Sequence, residues 1–83
     1  MRNITRLQRE ADTAVGCAAH AWMIATAAQG RANVACDAAR AAPSDARAQV
    51  DYSNALTETE RARQAADDAD AVVLRCNRRL MLV

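Results

Sequence analysis

Eighty-three residues set one domain as the upper bound, and a chain this short buries too little surface for comfortable stability without well-packed helices, metal, disulfides or a partner. Alanine fills 22 positions, Phe and Lys are absent, Gly occurs twice and Pro once, so a sheet is disfavoured and an all-α fold is expected. Eleven Arg against ten acids leave a net charge of +1, and net charge alone therefore points neither to a nucleic-acid binder nor to an acidic disordered tail.

The first predicted element is a helix over about residues 5–42. Thr5 and Gln8 have capping-box spacing at its start. Steps of alternately three and four residues from Ile4 land on Leu7, Ala11, Ala14 and Ala18, and then only on alanines as far as Ala42. Residues 13–30 carry no charge, yet they include His20, Gln29 and two Gly, and only Val15 and Ile24 strongly favour lipid, so no membrane span is expected. A signal peptide is equally poor, because Glu10 and Asp12 sit in what would be its n-region.

The single proline marks the next feature. Pro43 disfavours helical geometry at Ala42, Ser44 is a good N-cap, and Asp45 would place negative charge in the first turn of a second helix over about residues 45–81. The same stepping resumes at Ala48, Tyr52 and Ala55, continues through Thr59 and Ala66, and reaches Val73, Cys76, Leu80 and Val83. Folding the chain at residues 43–44 pairs positions whose numbers sum to 87, so that Ile4 meets Val83, Leu7 meets Leu80 and Ala18 meets Ala69. Residues 1–83 thus read as one domain, a long antiparallel two-helix hairpin with an alanine-rich heptad seam. A break at Gly30 giving three helices, or a single kinked helix, are the alternatives. The seam resembles the tight antiparallel helix packing known as an Alacoil. Each alanine buries only one methyl, about 0.8 kcal/mol if fully dehydrated, so assembly into an oligomeric bundle, most simply a dimer, is expected.

Function has to be argued from surfaces, since no catalytic motif is present and an enzyme would need a site that two helices do not offer. Opposite the seam, the first helix shows Gly16, Ala19, Met23, Thr26, Ala27 and Gly30. Val15 and Trp22 flank this strip on one edge, Cys17 and Ile24 on the other. A helix that is apolar all round is normally buried all round, and Trp is the residue type that most often anchors an interface. A second surface is basic. Arg2, Arg6 and Arg9 lie in an acid-free segment, as do Arg75, Arg78 and Arg79, and a hairpin gathers all six at one pole suited to phosphate or an acidic protein. No aromatic side chain is interleaved for base stacking, so a solvated pole is the plainer reading.

Cys17 and His20, three apart on one helical face, would supply zinc ligands only if two copies met across a dimer axis; the plainer reading is a small apolar Cys and a lone interface His. Asp67, Asp68 and Asp70 read as a solvated face, and Cys36 and Cys76 as packing residues. Three unpaired-looking cysteines fit a reducing compartment, the cytoplasm. The leading expectation is a non-enzymatic, self-associating hairpin that acts through protein–protein contact, in the manner of a small phage, viral or mobile-element accessory or inhibitor protein. The alternative is a dimeric hairpin bundle that binds RNA through its Arg pole. No cofactor is expected.

Overall fold

The computed structural model describes residues 4–82 and shows an all-α hairpin of two helices, α1 (Ile4–Ala41) and α2 (Ala46–Met81), of 38 and 36 residues. The molecule is a rod of 67 × 13 × 13 Å. The 38 residues of α1 account for about 57 Å of that length at the helical rise of about 1.5 Å per residue. α1 runs without interruption through Gly16 and Gly30, neither of which has a positive φ, so the three-helix alternative does not occur. Thr5 lies within α1 and not ahead of it, because the helix is already formed at Ile4.

The corner occupies residues 42–45. Pro43 and Ser44 are the two central residues of a β-turn closed by the Asp45 amide donating to the Ala42 carbonyl at 3.0 Å, with Pro at the position where its fixed φ is an asset. That turn consumes Ser44, so the N-cap of α2 is Asp45 and not Ser44 as the sequence suggested. The Asp45 carboxylate accepts from the amides of Arg47 at 3.0 Å and Ala48 at 3.3 Å, and its backbone is extended. Gln49 ties the corner down by donating to the Ala39 carbonyl at 3.0 Å.

Every buried residue lies on the predicted seam. They are Ala11, Ala14, Ala18, Ala25, Ala28, Ala32 and Ala39 from α1, with Thr59 and Ala66 from α2. Leu7, Tyr52, Val73, Cys76 and Leu80 are half-buried on the same line. The expected layer of Ile4 against Val83 falls outside the described residues on the Val83 side, and Ile4 itself is exposed. Thr59, the one polar seam residue, is satisfied: its hydroxyl lies 2.8 Å from the Ala55 carbonyl of its own helix and 3.2 Å from the Ala28 carbonyl across the seam. Residues 28 and 59 sum to 87, so the hydrogen bond marks the predicted register.

A core of methyl groups leaves a large surface. The accessible area is 6257 Å², against about 4,800 Å² expected for a compact monomer of this mass. The radius of gyration is 18.7 Å, where about 12 Å would be usual for this length.

Candidate interaction surfaces

The face of α1 turned away from α2 has no partner within the chain. Met23 is 70% exposed and Val34 71% exposed, and Val15, Ile24, Gly16, Ala19, Thr26, Ala27 and Gly30 are exposed with them. These positions follow from the helical period: Gly16, Ala19, Met23, Thr26, Ala27, Gly30 and Val34 lie on the side away from the seam alanines, and Val15 and Ile24 on its two flanks. The glycines are not explained by the hairpin. A Cβ added to either Gly16 or Gly30 would meet nothing within 4 Å, and neither needs unusual backbone angles. Each nonetheless costs the helix roughly 1 kcal/mol relative to alanine.

Trp22 behaves differently from its neighbours. Its indole N–H donates to the Asp70 carboxylate of α2 at 2.9 Å, and the side chain is 38% exposed. The residue expected to anchor a partner is thus partly engaged within the hairpin, and Met23 projects further. Asp70 is correspondingly half-buried and not part of a solvated acidic face, while Asp68 accepts from Gln64 at 2.9 Å. Arg31 and Glu58 form a further ion pair between the helices.

The Arg-bearing segments do lie at one end of the rod, where Arg79 of α2 approaches Glu10 of α1 at 3.7 Å. Glu10 also accepts from Arg6 at 3.2 Å. This single acid, one residue beyond the acid-free segment, therefore neutralises part of the pole. Arg9, Arg75 and Arg78 have no ion-pair partner among the described residues, and Arg2 lies outside them.

Beside that pole, an open groove of about 680 Å³ runs between the helices, with Ala14, Cys17, Val72 and Cys76 forming apolar walls and Arg9 and Asp68 at its rim. Cys17 is exposed and His20 is exposed one turn further on. No group of three or more His, Cys, Asp or Glu side chains is placed to hold a metal ion among the described residues. At the opposite end the Tyr52 phenol sits against Cys36. Its pKa is raised above the ordinary phenol value by a side-chain hydrogen bond with Cys36, by the charge Cys36 carries when ionised and by desolvation, against a smaller opposing pull from Arg40.

No helix among the described residues is long and apolar enough to cross a membrane. No protein-family model matches this chain, and neither the curated proteins nor the solved structures contain a significant match to it.

Proposed function

We propose that this chain is a non-enzymatic, self-associating helical hairpin that works by protein–protein contact through the outer face of α1. One observation carries the reading: a run of α1 without charge from residue 13 to residue 30 packs on α2 along only one side, leaving Met23, Ile24 and Val15 in water, with Val34 exposed just beyond it. An unpartnered apolar face on so small a chain is the usual mark of an interface. The free thiols of Cys17, Cys36 and Cys76 suit a reducing setting such as the cytoplasm, and an accessory or inhibitor role of the kind small phage and mobile-element proteins fulfil fits a binding surface without a catalytic cleft.

The test is Met23→Glu, which places a charge at the centre of the face without touching α2. The variant should keep the helical circular dichroism of the unmodified chain and lose association in sedimentation velocity. Association unchanged by the substitution would remove this face from the account. RNA binding by the Arg pole is the weaker reading, because Glu10 already pairs with Arg6 and Arg79. Were it right, log K for RNA would fall with log salt at about −0.7 for each phosphate neutralised on a single strand. Arg75→Gln with Arg78→Gln would flatten that slope.

A further inference from the structure

We infer that the occupant of the outer face of α1 is the same face of a second copy, packed antiparallel about a two-fold axis at Met23. The inference rests on the self-association proposed above and adds its partner, orientation and register.

By helical position, Arg9, Gly16, Met23, Gly30 and Asp37 recur every seven residues on the side of α1 away from the seam, with the Arg9 side chain reaching the rim of the groove between the helices. A seven-residue spacing keeps one strip facing a partner along a left-handed supercoil. The strip is also chemically palindromic. Around Met23 it reads glycine seven residues away on either side, then Arg on one side and Asp on the other. An antiparallel second copy aligns residues whose numbers sum to 46. Gly16 then faces Gly30 of the second copy, Ala19 faces Ala27, Thr13 faces Asn33, and Trp22 faces Ile24. Arg9 meets Asp37 at both ends, about 42 Å apart along the helix.

Three observations select this arrangement. Arg9 and Asp37 have no ion-pair or hydrogen-bond partner among the described residues, so the charges at the two ends of the strip are unspent. The glycines, which the hairpin does not use, become the positions where two backbones approach without Cβ atoms between them. The excess surface of the rod, about 1,400 Å² over a compact monomer of this mass, exceeds the roughly 800 Å² per partner that a stable interface buries. A parallel pairing fails on the same residues, because it sets Arg9 against Arg9 and Asp37 against Asp37. The antiparallel register has one like-charge juxtaposition, Arg6 with Arg40. It falls beyond the Arg9–Asp37 pairs, where Glu10 already holds Arg6. The register also sets Cys17 opposite Gln29 and His20 opposite Thr26, so the Cys17 residues of the two copies lie about 18 Å apart along the axis. No shared zinc site forms, and assembly should be indifferent to a chelator.

Sedimentation equilibrium on the unmodified chain, Arg9→Asp, Asp37→Arg and the double variant tests the register. Each single reversal should raise the dimer dissociation constant about tenfold, with two symmetric pairs lost. The double variant should return to within about threefold of the unmodified chain. Dimers indifferent to the single reversals, or not restored by the double, would overturn this register while leaving self-association standing. A chain that stays monomeric would overturn both. A second readout is oxidation of mixed Ala19→Cys and Ala27→Cys chains lacking the native cysteines. Disulfides between unlike chains support the antiparallel pairing, and a majority between like chains contradicts it.

Discussion

The indole N–H of Trp22 donates to the Asp70 carboxylate at 2.9 Å across the two helices, joining residues from the least and the most charged stretches of the chain. Trp22 is the only tryptophan, so its emission reports this contact directly. Asp70→Ala should lower stability by about 1 kcal/mol and shift that emission, since a partly exposed hydrogen bond to a charged acceptor lies near the middle of the usual range. Asp70→Ala in a Trp22→Phe background should cost less than in the unmodified chain. Equal costs, measured by urea unfolding, would mean that the hydrogen bond contributes nothing.

Thr59 supplies a second prediction. Thr59→Val keeps the branched shape but deletes the hydroxyl that lies between the Ala55 and Ala28 carbonyls in a site only 5% exposed. It should lower the urea midpoint by an amount equivalent to about 1 kcal/mol without changing the slope, while Thr59→Ser should lose less from the hydrogen bond. Alanines fit one another in several registers, and a directional bond at one layer selects among them.

The Tyr52 titration is a third. Tyr52 is the only tyrosine, so tyrosinate absorbance follows it alone. Its midpoint should lie above the ordinary phenol value, and Cys36→Ala should bring it down by removing the largest cause. The sign for stability follows from the raised value: the folded chain holds this proton more tightly than the unfolded one, so the contribution is fully present below the unfolded phenol pKa. It is lost as pH rises from there through the folded value. A midpoint unaffected by Cys36→Ala would contradict the contact.

The seam was legible in the sequence because a three-and-four period over so many alanines leaves one face for α2, and because Pro43, followed by Ser44 and Asp45, marks the place where the period restarts. The same stepping located Met23 and the glycines on the opposite side. It did not reveal the Trp22–Asp70 bond, since the period tells which flank a residue occupies but not which long polar side chain crosses to it. That is also why Asp70 read as solvated. Glu10 stands just beyond the acid-free segment, so the sequence does not mark it as a neutraliser of the Arg pole, and its reach across to Arg79 is a tertiary fact. Ser44 was misplaced as a cap because a β-turn needs two central residues, and the helix can begin only after both.

Self-association is decided by the mass of the unmodified chain in solution. Sedimentation equilibrium at micromolar concentration and above should give twice the 8.9 kDa chain mass, with the dimer dissociating on dilution. A mass of one chain throughout, with the helical signal intact, would contradict self-association through α1.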